Sequence, residues 1–346
     1  MSDNVLLKVR GLKKYFPLTG GVFRKVIGQV HAVDGIDMDI RKGETMGIVG
    51  ESGCGKTTLG RTVLRLIEPT EGQIVFDGED ISELSGRDLR KIRREMQIVF
   101  QDPMASLDPR LTIKNSVGEP LLVNGIAKGP EMRRMVLDLL QKVGLTEDHL
   151  NRFPHEFSGG QRQRICIARA LALNPKFVVM DEPTSSTDVS VQAQTLNLMK
   201  DLQEELNLTY MFISHDLSVV KHMSDRIAVM YLGQIVELTP HDIFRGALHP
   251  YTFALVSAVP IPNPKFAGKA QILSGEVPSP ISPPTGCRFH PRCIFAEDIC
   301  ETEQPELRDM GDGHLVACHF AGELDFGSSA QQTYADAMGE REKAEA

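Results

Sequence analysis

Short apolar runs separated by turn residues occupy the first hundred positions: 6–9, 29–40 interrupted at Asp34-Gly35, Thr45–Val49, and 73–76 closed by Asp77-Gly78. Runs of this length, rich in β-branched residues and bounded by Asp-Gly pairs, predict strands. From 114 to 173 the period changes. Apolar positions recur at helical spacing, with Asn124-Gly125, Lys128-Gly129-Pro130 and Phe153-Pro154 as breaks, so this region is predicted helical. Buried-strand runs return at 177–180 and 210–213, separated by a helical stretch over 191–206. That alternation belongs to a parallel sheet with crossover helices, and the expected fold class is α/β. After Ile243 the pattern dissolves into a segment punctuated by nine prolines between Pro250 and Pro291, which sets a boundary near residue 245. The last twenty residues, rich in Ala, Ser, Gln and Glu, offer little to bury and are expected to be disordered.

Length and composition narrow this picture. The chain has 346 residues, 41% of them hydrophobic, enough for one large domain and a smaller appendage. No apolar run approaches the roughly 18 residues of a membrane span, and no charged-then-apolar leader opens the chain, so a cytoplasmic location is expected. A net charge of -8 and a pI near 5.7 argue against nucleic acid as the main partner. Of six cysteines, Cys54 and Cys166 are scattered, whereas Cys287, Cys293, Cys300 and Cys318 cluster near the C-terminus. In a cytosolic chain such clustering favours a metal over disulfides.

The strongest chemical signal is Gly50-Glu51-Ser52-Gly53-Cys54-Gly55-Lys56-Thr57, a complete G-x-x-x-x-G-K-[ST] pattern lying after an apolar strand and before a helical run. Backbone N–H groups of Gly50, Ser52, Gly53, Cys54, Gly55 and Thr58 are expected to wrap phosphates. Lys56 would reach the β- and γ-phosphates, and Thr57 would ligate Mg²⁺. A chance glycine-rich turn would lack the strand and helix on either side. Residues 177–182 supply the complementary part, an apolar strand delivering Asp181 and Glu182 at its end. Asp181 is expected to hold Mg²⁺ and Glu182 to polarise the attacking water, although such a pair taken alone is more often a solvated strand end.

Phe157-Ser158-Gly159-Gly160-Gln161-Arg162-Gln163-Arg164 resembles the Leu-Ser-Gly-Gly-Gln signature of the ABC ATPases. Ser158, Gly159, Gly160 and Gln161 would open a helix whose exposed N–H groups and dipole address a phosphate. The chain already has one phosphate site at Lys56, so a second suggests a dimer in which each chain completes its partner's site, as in the head-to-tail arrangement of that family. The resemblance implies a P-loop NTPase, RecA-like core with an antiparallel β subdomain and a helical subdomain at about 103–172. It also places Gln101 at the Q-loop position touching Mg²⁺ and water, and His215 at the switch position facing the γ-phosphate. Asp188, in Ser185-Ser186-Thr187-Asp188, takes the D-loop position. There Ser186 and Thr187 depart from the usual Ala-Leu, which puts coupling between the two sites in question. Phe16 aligns best with the family's adenine-stacking aromatic; Tyr15 is the alternative, and either is equally readable as core.

Beyond this motor, the sequence resembles the ATPases of oligopeptide and dipeptide importers. The match is carried by Gly118-Glu119-Pro120, His249-Pro250-Tyr251-Thr252, Ser257-Ala258-Val259-Pro260, Gly275-Glu276-Val277-Pro278-Ser279-Pro280 and Gly286-Cys287-Arg288-Phe289-His290-Pro291-Arg292-Cys293. The hairpin between Leu18 and Gln29, with Arg24 and Lys25, looks like the F-type subunit. The expected division is an ABC nucleotide-binding domain over 1–245, an irregular cysteine-bearing extension over 246–325, and a tail over 326–346.

The cysteine spacings of five, six and seventeen residues match neither the common C-x2-C zinc pattern nor the ferredoxin forms. By ligand chemistry a zinc ion, an iron–sulfur cluster and no metal all stay open. The family resemblance favours a [4Fe-4S] cluster on Cys287, Cys293, Cys300 and Cys318, with His290, His314 and His319 as spare ligands or plain surface histidines. It further implies ATP and Mg²⁺ as ligands, a paralogous D-type ATPase in a heterodimer, two transmembrane permease subunits, and an extracytoplasmic substrate-binding protein acting indirectly. The chain would then lie peripherally on the cytoplasmic face of the bacterial inner membrane. ABC importers of this branch also carry nickel chelates, opines and sugars, so cargo is not legible here.

Three rivals share parts of these motifs. Chromosome-organising and DNA-repair ATPases insert long coiled coils between phosphate loop and signature, but only about a hundred residues separate Lys56 from Ser158, without sustained heptads. Translation-associated ABC factors carry two nucleotide domains, and no motif repeats here. Exporters of drugs, lipids or peptides are disfavoured by the cysteine region.

Overall fold

A computed structural model describes residues 4–20, 25–184, 189–240, 242–259 and 275–326. Asp188 with its loop neighbours Ser185, Ser186 and Thr187 lies outside the described residues, as do Arg24 of the first hairpin turn and the tail from 327.

Two sheets organise the core. The first elements are β1 (Val5–Gly20), β2 (Lys25–Arg41), β3 (Thr45–Val49), α1 (Lys56–Val63), β4 (Glu71–Phe76), β5 (Glu79–Asp80), α2 (Gly86–Glu95) and β6 (Met96–Val99). Next come four helices, α3 (Pro103–Ser106), α4 (Ile113–Val123), α5 (Gly129–Lys142) and α6 (Gly159–Leu171). The alternating part resumes with β7 (Phe177–Asp181), α7 (Val189–Leu206), β8 (Thr209–Ser214), α8 (Leu217–Met223), β9 (Arg226–Tyr231) and β10 (Gln234–Thr239). The C-terminal part adds α9 (Ile243–Gly246), α10 (Pro250–Ser257), α11 (Asp298–Thr302), β11 (Arg308–Asp309) and β12 (Leu315–Val316).

The larger sheet has the order β11-β12-β10-β9-β3-β8-β7-β6, and the smaller one β2-β1-β4-β5. Pairings β9–β3, β3–β8, β8–β7 and β7–β6 are all parallel. Consequently β3, β6, β7 and β8 end on the same edge, where a parallel sheet gathers its ligand-binding loops. Strands β3, β7 and β8 are buried at every position, which explains their continuous apolar runs. One face of the sheet packs on α1 and the smaller sheet through Met46, Ile48, Leu59, Val63, Val179 and Ile213. The other carries the helical layer and α7 through Val178, Met180, Ile165, Met199, Tyr210 and Phe212.

Three features differ from the sequence expectation. Strand β1 runs on to Gly20, well past Val9, because it pairs with β2 along its whole length. Asp34-Gly35 does not interrupt β2: Asp34 pairs with Lys13, the ladder shifts register around Leu12, and Gly35 takes φ +76°. A glycine there lets the strand bulge instead of ending. The hairpin β9–β10 was not foreseen. Its turn is Leu232-Gly233, with φ +43° and +81°, a backbone of the kind that two-residue hairpin turns require.

The extension joins the core sheet at its edge. β12 pairs with β10 through Glu237↔Val316 and Leu238↔Leu315. Glu237 is fully buried and accepts from the Leu248 and His249 amides, each at 2.9 Å, while His314 Nε2 lies 2.7 Å from Oε1. His249 Nδ1 accepts from the Tyr251 amide at 3.0 Å, and burial lowers its pKa to about 4, so the ring is neutral.

Candidate functional site

The loop between β3 and α1 is shaped by two glycines. A Cβ on Gly55 would lie 2.0 Å from the Ala32 carbonyl oxygen, and one on Gly50 would lie 2.2 Å from that of Met230. Gly55 also has φ +107° and caps α1. The loop therefore presses against β2 and β9, and only glycine fits at both contacts. Lys56, Thr57 and Thr58 occupy the first turn of α1, where amides lack intrahelical acceptors and the helix dipole is positive. The Lys56 ammonium is buried and donates to the Gly50 carbonyl at 2.8 Å and the Glu51 carbonyl at 3.0 Å. Cys54 is buried beneath the loop, its thiol pKa raised by desolvation. Ser52 and Gly53 are exposed, with Gly53 at φ +81°. These residues form a cationic, amide-lined cradle fit for a polyphosphate.

Opposite the cradle, Thr57 Oγ1 donates to Asp181 Oδ1 at 2.7 Å. Asp181 is fully buried, and burial raises its pKa above the ordinary carboxylate value. Its Oδ2 has no hydrogen-bond partner among the described residues; Arg61 Nη2 approaches to 3.6 Å. A buried carboxylate oxygen left open beside a threonine hydroxyl is an oxygen donor pair suited to a hard divalent cation. Arg61, which sequence reasoning missed, is one helical turn beyond Thr57, and that spacing was its only signal.

Glu182 gathers the other chemical groups. It follows β7 with φ +47°, a conformation rare for a residue with a side chain and typical of functional sites. Its amide donates to the Ile213 carbonyl at 3.0 Å, fixing it against the end of β8. Gln101 Nε2 donates to Glu182 Oε2 at 2.9 Å, and His215 Nδ1 lies 3.2 Å from the same oxygen. Gln101 follows β6 and His215 follows β8, so neighbouring strand ends converge three side chains separated widely in sequence.

The signature segment stands apart from this cradle. Ser158 caps α6: its hydroxyl accepts from the Gln161 amide at 3.3 Å, while Gln161 Oε1 accepts from the Ser158 amide at 3.1 Å. Ser158 and Gly159 are exposed, and a Cβ on Gly160 would meet Val191 at 2.3 Å, so this glycine permits α6 to approach α7. Among the described residues, no hydrogen bond joins Ser158 or Gln161 to the phosphate loop.

Of the two candidate aromatics, Tyr15 lies tilted at 39° against His31 with centroids 4.3 Å apart and bonds through its hydroxyl to Asp34, which also pairs with Arg288. That network ties Tyr15 to neighbouring side chains. Phe16 is half-buried and is approached only by Lys14 Nζ, 5.0 Å from its ring centroid, among the described ring contacts.

The four clustered cysteines are free and line one pocket together with Pro250, Phe289, Phe295, Phe320, His290 and His319. Burial pushes the Cys287 thiol up to about 11 and the Cys293 thiol up to about 12, and raises Cys318 as well. Among the described residues no group of three or more His, Cys, Asp or Glu side chains is arranged to hold a metal ion. The four thiols border one shared space. His314 belongs elsewhere, paired with Glu237. His290 Nδ1 is 2.9 Å from the Cys287 carbonyl, and His319 Nε2 is 2.9 Å from that of Glu303.

Residues 33–185 match the ABC transporter family model, and residues 236–300 match that of the oligopeptide/dipeptide transporter C-terminal region. The chain is 53% identical over 322 residues to the oligopeptide transport ATP-binding protein AppF of Bacillus subtilis, covering 92% of this chain and 98% of that protein. It is 50% identical over 319 residues to a putative peptide import ATP-binding protein of Brucella ovis, with the same coverage. A dimeric ATP-binding cassette solved in a post-hydrolysis state with ADP and Pi superimposes with a TM-score of 0.60 at 32% identity, over 68% of this chain and 98% of that one.

Proposed function

The chain belongs to the ABC transporter ATP-binding proteins, and from that premise we propose how its residues bind and split ATP to power peptide import. The observation that carries this reading is the convergence of Gln101 and His215 on Glu182, beside a phosphate cradle linked to Asp181 through Thr57. Its relatives are named for oligopeptide and peptide import, and this chain is an ATPase powering such import.

Lys56 and the first-turn amides of α1 hold the β- and γ-phosphates, and Phe16 offers its ring face to the adenine. Thr57 and Asp181 would hold Mg²⁺, with Gln101 near it; when bound, the cation draws negative charge from the phosphate oxygens. Glu182 accepts a proton from water as the water oxygen attacks the γ-phosphorus, and the bond to the ADP oxygen breaks. Gln101 and His215 hold the carboxylate in place for this. Ser158, Gly159 and Gly160 of a facing subunit close over the same γ-phosphate. The exposure of the α6 N-terminus supports this composite site. A Ser158→Arg variant is expected to bind MgATP within about threefold of the wild type and to lose more than about 90% of its turnover in the assembled transporter. Undiminished turnover would remove the facing-subunit role.

As an importer ATPase the chain works with transmembrane permeases. We place it in a heterodimer with a D-type paralogue, docked peripherally on the cytoplasmic membrane face and served indirectly by an extracytoplasmic binding protein. In support, Leu122 (56% exposed) and Val123 (73%) at the end of α4 offer apolar contact outside the core, and no described helix is long and apolar enough to cross a membrane. A DNA-organising role is not favoured, since the longest described helix between phosphate loop and signature is α5, of 14 residues.

The gathering of Cys287, Cys293, Cys300 and Cys318 around one pocket, four soft donors together, supports a metal group at this place. Burial keeps the Cys287 and Cys293 thiols protonated at neutral pH, and a bound cation would favour their ionised form. Cys287, Cys293, Cys300 and Cys318 would hold a [4Fe-4S] group, whose bonds to the chain would staple a segment poor in apolar residues. Anaerobically purified protein is expected to carry about four irons per chain and to lose them in a Cys293→Ser variant. Iron-free, colourless wild type would contradict this assignment.

A further inference from the structure

The second residue of the phosphate loop is a glutamate, and a carboxylate is an awkward neighbour for an incoming triphosphate. At separations of about 4 Å two like charges repel by about 1 kcal/mol in water and several times more near a protein surface. The fold meets this charge with an arginine from far along the chain. Arg292 Nη1 donates to Glu51 Oε2 at 2.8 Å and Nη2 to Oε1 at 3.0 Å, a two-pronged pair between residues 241 positions apart. The Arg292 side chain is 5% exposed and that of Glu51 26%.

Glu51 is held at two further points. Its amide donates to the Tyr251 hydroxyl at 2.8 Å, and its carbonyl accepts from Lys56 at 3.0 Å. Tyr251 sits in an aromatic cluster with Tyr231 and Phe289, centroids 4.7 Å and 5.4 Å away, and the Arg292 guanidinium lies 5.9 Å from the Tyr231 ring centroid. Phe289 and Arg292 both come from the segment between Cys287 and Cys293. The extension therefore reaches the loop that carries Lys56 through a charge pair and a packed aromatic wall. A bidentate guanidinium–carboxylate pair fixes direction as well as charge.

We propose that Arg292 is a positioning residue for nucleotide: it neutralises the Glu51 carboxylate, so that the phosphate loop can accept a polyanion. Through it, the cysteine-bearing extension is a working part of the ATP site. The inference rests on the ATP-binding reading of Gly50–Thr57 and adds to it a requirement from outside the nucleotide-binding motifs.

The test is the Kd of MgATP for the full-length wild type, Arg292→Met, Glu51→Gln and the double variant, with thermal unfolding of each as a folding control. Arg292→Met keeps the stem and exposes the Glu51 charge to the phosphates, so its affinity is expected to fall about tenfold or more. Glu51→Gln removes the charge and is expected to stay within about threefold of wild type. The double variant is expected to recover to within about threefold of Glu51→Gln, since no charge is left to neutralise. Tethering alone would give no such recovery, so a double variant as weak as Arg292→Met overturns the proposal, as does Arg292→Met binding like wild type. A wild-type chain that fails to bind MgATP would instead overturn the underlying site reading.

Discussion

A Glu182→Gln chain is expected to bind MgATP within about threefold of wild type and to hydrolyse it about a thousandfold more slowly. The amide preserves the size of the side chain and can still meet Gln101 or His215, so the cradle and the Asp181 site stay formed. What disappears is the oxygen able to take a proton. General-base assistance contributes roughly 10²–10⁴ to such reactions, and both neighbours of Glu182 act through it rather than replacing it. His215 is 59% exposed, and its contact with Glu182 makes it an orienting partner. Single-turnover hydrolysis separates binding from chemistry here. Wild-type turnover in this variant would show that Glu182 is not the base.

The second large effect is on binding itself. Lys56→Met is expected to weaken MgATP by about a hundredfold, because charge-assisted contacts to two phosphates are lost together. The same variant should fold as well as wild type or better: Lys56 is 5% exposed with its ammonium held by two carbonyls, and a methionine of similar length avoids its desolvation. Equilibrium titration with MgATP, alongside thermal unfolding without nucleotide, tests both parts. Unchanged affinity would displace Lys56 from the phosphate site.

These two residues were readable from local pattern because their chemistry demands a local backbone. Gly50 and Gly55 are needed where the loop touches Met230 and Ala32, and Lys56 must follow them to start α1. Glu182 was visible only in company with the phosphate loop, since an Asp-Glu pair closing a buried strand is by itself more often a solvated strand end. The continuous apolar runs at 177–180 and 210–213 likewise exposed the parallel core, being buried on both faces. Local pattern failed where pairing decided the outcome. Asp34-Gly35 reads as a break, yet the ladder to β1 absorbs it as a bulge. The Leu232-Gly233 turn carries too little polarity to signal a hairpin, although its backbone is that of one. Arg292 is hidden for another reason: nothing within a few residues of it requires an arginine, and its partner Glu51 is brought near only by the finished fold. The cysteine cluster was visible as a count and a spacing, but only the folded chain shows all four around one pocket.

The most direct test of the account is phosphate release from MgATP by the purified wild-type chain, measured beside Lys56→Met protein prepared identically. Release by the wild type and none above background by the variant is the expected result. Release at equal rates from both, or from neither after assembly with the permease subunits, would contradict it.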